Sequence, residues 1–257
     1  MKILAIGDVV GSNGCSFLRT VLPKLKKERR IDLVIANGEN SDKRNGISIA
    51  SKEFLFSSGV DVITTGNHAF KQREIYPVFE NCEYLIRPAN FPSPLTPGRG
   101  YCIFDLGFTQ VCIINLMGTV YMESLDSPFN TIDKILEKTK NIKIKILDFH
   151  AEATSEKKVL GYYLDGKISA MFGTHTHVQT SDEIILPKGT GYLTDVGMTG
   201  VTNSSLGVDY ESVLYRLKTK LPCRFEQAQG PCEMDCILFD IDKSTGKTVN
   251  LERLVIK

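Results

Sequence analysis

The sequence predicts an α/β fold built on a mixed or parallel sheet. Three observations predict it. Short Val- and Ile-rich runs alternate with amphipathic stretches through the first half, each run ends in glycine or a polar residue, and the second half is dense in further strand candidates. Lys2–Ile6 reads as the first buried strand. A helical apolar spacing follows over Ser16–Arg30, in which Pro23 removes a backbone donor and predicts a kink or a restart. Asp32–Ala36 and Val60–Thr64 read as the next strands, with a helix over Ile49–Ser57 between them, so the chain starts β-α-β-α-β. Arg87–Gly100 carries Pro88, Pro92, Pro94 and Pro97 and is predicted to be a loop, placed to rim a pocket. Apolar runs on either side of Gly107, within Tyr101–Leu116, predict a hairpin. A helix near Thr131–Lys140 and a strand over Lys143–Phe149 come next. Strands are then expected at Ile168–Phe172, Gly191–Thr194, Cys236–Ile241 and Val249–Val255, with a helix near Tyr210–Lys218.

At 257 residues and 42% apolar content the chain can bury a substantial core, and it carries no repeat or linker, so a single domain over 1–257 is expected. A net charge of +1 argues against binding to long nucleic acid or an anionic membrane, although a local pocket can still hold one phosphate. Seven cysteines (Cys15, Cys82, Cys102, Cys112, Cys223, Cys232 and Cys236) are scattered and odd in number, with no C-x-x-C. They read as reduced thiols rather than as a disulfide framework or zinc ribbon. The apolar start is too short for a signal-peptide core and no later run reaches a membrane span, so the cytoplasm is the expected location.

All four histidines lie in three short stretches: Gly66-Asn67-His68, Asp148-Phe149-His150 and Gly173-Thr174-His175-Thr176-His177. Imidazole is a common metal ligand and the group best placed to move protons near neutrality. Each stretch follows an apolar strand run, as do Asp8, Glu39 and Asn40, and open α/β sheets gather functional groups beyond the carboxyl ends of their strands. The glycines Gly7, Gly38, Gly66 and Gly173 beside these residues are expected to let the backbone turn sharply. Taken singly, Asp8 and Asn67 would be turn or capping residues and His150 a core histidine. The His175-x-His177 pair is stronger, because residues two apart in extended backbone face the same side. Together, two carboxylates, one or two amide oxygens and three or four imidazoles exceed one tetrahedral ion and suit two ions of higher coordination. The nitrogen and oxygen donors select iron, manganese or zinc, with Glu39 as the natural bridge.

The order Gly-Asp, acidic motif, Gly-Asn-His, His, Gly-x-His-x-His resembles the metallophosphoesterases of the calcineurin-like fold. The longer motifs Gly38-Glu39-Asn40, Arg87-Pro88-Ala89-Asn90-Phe91-Pro92, Asp148-Phe149-His150-Ala151-Glu152-Ala153-Thr154 and Thr194-Asp195-Val196-Gly197-Met198-Thr199-Gly200 are similar to those of the YmdB-like branch of bacterial phosphodiesterases, over nearly the whole chain. The resemblance implies a four-layer α-β-β-α sandwich of two mixed sheets, two iron or manganese ions, and action on small phosphodiesters, including 2′,3′-cyclic or 3′,5′-cyclic nucleotides. Carried over residue by residue, one ion takes Asp8, Glu39, Asn40 and His177, the other takes Glu39, Asn67, His150 and His175, and His68 is the proton donor. The chain reads Ala69-Phe70-Lys71 after His68, where the branch carries Thr-Trp-Asp or a close variant, so a cation replaces an acid near the substrate.

Two such ions, about 3.5–4 Å apart, would generate a hydroxide nucleophile and neutralise phosphoryl charge, while His68 protonates the departing alkoxide. Asp148 and Asp195 are candidates for support behind the ligands, although a solvated or capping role suits each as well. Phe70 and Phe91 could stack on a base, with core packing as the default. Alternatives are a phosphomonoesterase of the same fold and a metal-dependent amide hydrolase, which leaves Gly-Asn-His unexplained. A nucleotide-binding regulator is a third, since Gly7, Gly11 and Gly14 loosely resemble a dinucleotide fingerprint without its spacing. Homo-oligomerisation is left open.

Overall fold

The computed structural model describes residues 1–257. Its first half contains β1 (Lys2–Val9), α1 (Gly11–Arg29), β2 (Leu33–Asn37), α2 (Ile49–Ser57), β3 (Val62–Thr64), α3 (Tyr76–Asn81), β4 (Tyr101–Asp105) and β5 (Gln110–Met117). Its second half contains α4 (Pro128–Lys138), β6 (Ile144–His150), α5 (Thr154–Leu164), β7 (Ala170–Thr174), β8 (Ile184–Ile185), β9 (Gly191–Leu193), β10 (Met198–Val201), α6 (Tyr210–Thr219), β11 (Cys232–Ile241) and β12 (Thr248–Ile256). One six-stranded sheet has the order β12-β11-β10-β1-β2-β3 and the other β4-β5-β6-β7-β9-β8. Both are mixed. In the first, β1 runs parallel to β2 and β10 but antiparallel to β11. In the second, β5, β6, β7 and β9 are parallel, with antiparallel β4 and β8 at the edges.

Strand alternation sets the four layers. Ile3 and Ala5, Leu33 and Ile35, Ile113, Ile144 and Ile146, Phe172, and Ile237 and Phe239 share one buried cluster between the sheets. Their chain neighbours Leu4 and Ile6, and Val34 and Ala36, pack instead with Leu18, Leu22 and Leu25 of α1, Leu55 of α2 and Phe79 of α3. On the far side Leu116, Leu147, Phe149 and Met171 pack with Ile132 and Ile135 of α4 and Leu160 and Leu164 of α5. The resulting order is helix, sheet, sheet, helix. No helix is long and apolar enough to cross a membrane.

α1 continues as one helix through Pro23, so of the kink or restart expected there the restart does not occur. Pro23 and Arg19 lie on its exposed side while Leu18, Leu22 and Leu25 are buried, so solvent can serve the carbonyl that loses its donor. α5 has no counterpart in the sequence reading, because its buried face includes Glu156 and Lys157 beside Leu160, Gly161 and Leu164, while Val159 and Tyr162 are exposed. Charged residues on the inner face erase the apolar period. Short β8 and β10 and helix α3 were also unpredicted.

The inter-sheet layer also holds the carboxyl of Asp235. Asp235 lies on the same side of β11 as Ile237 and Phe239 and accepts the Met198 N–H at 3.3 Å. Burial pushes its carboxyl from the ordinary 3.8 up to about 6. An acid whose folded pKa is raised costs stability once it ionises, so the cost grows as pH rises from about 4 to about 6 and persists above. Asp235→Asn is expected to raise the melting temperature at pH 8, by about 2–4 °C per kcal/mol relieved, with a smaller gain at pH 4. Equal shifts at both pH values in calorimetry would contradict this.

Candidate metal centre

The inter-sheet layer turns polar at the carboxyl ends of the strands. The alternation that points Leu33 and Ile35, Val62, Ile144 and Ile146, and Phe172 inward brings Asn37, Thr64, Asp148, His150 and Thr174 to the same face, all fully buried. Asp148 accepts hydrogen bonds from Thr64 Oγ1 and Asn37 Nδ2 at Oδ2 and from Thr174 Oγ1 at Oδ1 (2.7 Å). Burial pushes its carboxyl up to about 7 against the pull of His150 and the two hydroxyls. Asp148 is thus a buried bridge between the two sheets and not a solvated or capping acid.

This floor sets the tautomer of His150. Thr174 Oγ1 donates its only proton to Asp148, so the 2.9 Å contact between His150 Nδ1 and Thr174 Oγ1 is made by the imidazole N–H. The other ring atom, Nε2, then carries a lone pair. It faces Asn67 Oδ1 at 2.9 Å, His175 Nδ1 at 3.1 Å and Glu39 Oε1 at 3.2 Å. Nε2 and three further atoms able to present lone pairs therefore converge, an arrangement that suits a positive charge between them.

The electrostatics agree. Burial pushes His150 down, but the carboxylates of Glu39, Asp8 and Asp148 outweigh it and raise the imidazole to about 9. Burial opposes charge on Glu39 as well, yet His150 and His68 hold it well below the usual carboxylate range. Burial and the neighbouring His150 both lower His175. Glu39, His150 and His175 offer ligand atoms within 4.8 Å of one another.

A second group lies beside the first. The Nδ2 of Asn40 is 3.2 Å from His177 Nε2, 3.3 Å from Glu39 Oε1 and 3.4 Å from Asp8 Oδ1. His177 Nε2 also lies 3.6 Å from Asp8 Oδ1. Three acceptors around one amide nitrogen exceed its two protons. Because an amide's oxygen and nitrogen ends interchange on a half-turn, Asn40 can equally present Oδ1 to a cation there. Both groups fit oxygen- and nitrogen-loving divalent or trivalent ions, and no thiol takes part.

His68 borders both groups, its Nδ1 3.3 Å from Glu39 Oε1. Its backbone N–H donates to Glu39 Oε2 at 2.8 Å and its Nδ1 lies 2.9 Å from Asn40 Oδ1. With Asn67 and His175 it lines a cavity of about 700 Å³, whose other walls include Lys71 and Phe91. The predicted proline-rich loop thus reaches the cavity through Phe91.

Two local explanations from the sequence change. His175 and His177 lie beyond β7 in left-handed backbone, at φ 97° and 62°, so the shared-face argument for an extended H-x-H does not hold. The two imidazoles instead serve different groups. Left-handed conformations for non-glycine residues cost about 1–3 kcal/mol each and persist only where the surroundings impose them. Here the Lys157–Asp195 ion pair, both side chains 1% exposed, holds the flanking Thr174 and Thr176, and the His175 N–H donates to Asp8 Oδ2 at 3.0 Å. Lys157 Nζ donates to Asp195 Oδ2 (2.7 Å) and Thr174 O (2.9 Å), and Asp195 Oδ2 accepts from Thr176 Oγ1 (2.7 Å) and its N–H (3.2 Å). Lys157, Thr174 and Asn37 had no signal in the sequence, because their roles depend on pairing across layers.

The glycines act by clearance and not by rotation. None of Gly7, Gly38, Gly66 and Gly173 has positive φ. A Cβ on Gly66 would lie 2.1–2.4 Å from the His150 ring, and a side chain there would displace it.

The YmdB-like protein family matches residues 4–254. The chain belongs to the YmdB-like family. It is 45% identical over its full length to the 2′,3′-cyclic-nucleotide 2′-phosphodiesterase of Bacillus subtilis strain 168, covering 97% of that protein. Its fold is similar to that of a hypothetical protein from Thermus thermophilus, at TM-score 0.94 and 40% identity over 99% of this chain and 98% of that one. It is also similar to a novel phosphatase from Mycoplasma pneumoniae, at TM-score 0.95 and 34% identity over 100% of this chain and 93% of that one. The resemblance carried by the sequence motifs, and the two-sheet sandwich it implies, are therefore correct for this YmdB-like protein.

Proposed function

We propose that this YmdB-like protein is a metal-dependent phosphodiesterase that hydrolyses small phosphodiesters, with cyclic nucleotides as the substrate class. The observation that carries the reading is the convergence of His150 Nε2, His175 Nδ1, Asn67 Oδ1 and Glu39 Oε1, placed beside the Asp8, Asn40 and His177 group with Glu39 common to both. One ion is assigned to Asp8, Glu39, Asn40 and His177, and the second to Glu39, Asn67, His150 and His175. Iron or manganese suits these donors, and zinc is also compatible. Cations bound there supply Lewis acidity toward water and the phosphoryl oxygens.

The chain's own residues do the rest. Asn40 restrains the His68 ring at Nδ1, 2.9 Å away. As imidazolium, His68 passes its Nε2 proton to the departing alkoxide and is left as neutral imidazole. Glu39 adds a second restraint by taking the His68 N–H. Seven free thiols support a reducing cytoplasm.

The diesterase reading is tested with bis-(4-nitrophenyl) phosphate against 4-nitrophenyl phosphate on metal-replete protein. The diester is expected to be turned over with at least about ten-fold higher kcat/KM, a difference of about 1.4 kcal/mol in barrier. Preference for the monoester would replace this reading by a phosphatase, and release of ammonia from amides without ester cleavage would replace it by an amide hydrolase.

A further inference from the structure

Tyr121 stands at the wall of the cavity above His68 and His175 in a conformation that packing does not explain. It is 89% exposed, so it gains little from burial, and its φ of 63° is one that glycine adopts at lower cost. A large aromatic held out of the core, in strained backbone, beside the reacting groups, calls for a partner from solution. Its segment is held firmly in place. The buried carboxylate of Glu156 accepts the N–H groups of Thr119 (3.0 Å) and Val120 (3.3 Å) and the Thr119 hydroxyl (3.2 Å), so the two residues before Tyr121 are anchored to α5.

Phe91 supplies a second aromatic wall. It is half-buried and rests edge-on against Phe70, with ring centroids 5.3 Å apart. Its neighbour Asn90 ties the proline-rich loop to the end of β5 through Met117 O (2.8 Å) and the Met117 N–H (2.9 Å), and to the Tyr121 segment through Asp126 O (3.0 Å). An exposed Tyr121 on an anchored segment, a half-buried Phe91 and a cavity of about 700 Å³ match a planar ring system attached to a sugar phosphate.

We propose that Tyr121 and Phe91 form a nucleobase subsite, stacking the base of a nucleotide whose phosphodiester lies over His68 and His175. The subsite rests on the diesterase reading for its substrate but is separable from it by binding. Neither aromatic takes part in proton transfer; they decide which diesters dwell at the site. Glu156 acts through Tyr121 as a positioning residue.

The test uses the full metal-replete chain and two readouts. The first is the ratio of kcat/KM for adenosine 2′,3′-cyclic phosphate to that for a base-free ribose 2′,3′-cyclic phosphate. The second is the Kd of adenosine 3′-monophosphate by titration calorimetry. Tyr121→Gly removes the ring and suits the left-handed backbone, so its melting temperature is expected not to fall, which separates loss of stacking from loss of fold. In that variant the ratio is expected to drop, and the Kd to rise, by about ten-fold or more, with Tyr121→Phe close to the parent. An unchanged ratio and Kd in Tyr121→Gly would overturn the subsite while leaving the diesterase standing. If the parent cleaved no diester yet Tyr121→Gly weakened nucleotide binding, the subsite would stand and the diesterase reading would fall.

Discussion

His68→Ala is expected to lower kcat on an unactivated alkyl phosphodiester by about 10²–10⁴-fold, the usual worth of a positioned general acid. The reason is local. His68 is the one histidine not assigned to an ion, it lines the cavity, and it is held at Nδ1 by Asn40 and Glu39 Oε1 and through its backbone by Glu39 Oε2. An aryl leaving group of low pKa needs little protonation, so the same variant should lose much less on bis-(4-nitrophenyl) phosphate. Metal content should match the parent, because the backbone N–H that reaches Glu39 survives the substitution. Equal losses on alkyl and aryl diesters, or full alkyl turnover with metals intact, would remove His68 from the role of acid.

The second large effect is on stability. Lys157→Ala leaves the Asp195 carboxylate buried beside the Thr176 N–H and hydroxyl with no countercharge, and removes the donor on Thr174 O. Breaking one side of a buried pair costs about 3–5 kcal/mol, whereas removing both charges together is much milder. Denaturant unfolding should therefore show Lys157→Ala as severely destabilised and the double variant Lys157→Met with Asp195→Asn as largely recovered. Because the pair holds Thr174 and Thr176 on either side of His175, the double variant should still bind metal more weakly than the parent. A loss of under about 1 kcal/mol in Lys157→Ala would show that the pair is dispensable.

The convergence of the candidate donors was legible in the sequence and their support largely illegible, for a physical reason. Donors such as Asp8, Glu39, Asn67 and His150 follow apolar strand runs, and parallel strands place such ends together, so position along one strand is enough to find them. His150 shows how local the signal is, since the parity that buries Ile144 and Ile146 also aims Asp148 and His150. Their support depends on pairing between layers. Asp148 gains its meaning from Thr64 on the opposite sheet, and Lys157 from Asp195 beyond β9. Glu156 and Lys157 also hid their own helix, because buried charges broke the apolar period by which α5 would have been found. The four layers came from resemblance in motifs; apolar periodicity alone reached only a mixed sheet with helices. The H-x-H histidines reach the site although extended backbone, the ground on which the sequence singles them out, does not apply.

The central claim is that strand ends from both sheets converge to hold two adjacent cations through Glu39. Metal-free protein titrated with Mn²⁺ in a calorimeter, with elemental analysis of the saturated product, tests it most directly. Two ions per chain in the parent, with both sites weakened together in Glu39→Gln, is the predicted result. A single ion, none, or two ions whose binding ignores Glu39→Gln would contradict it.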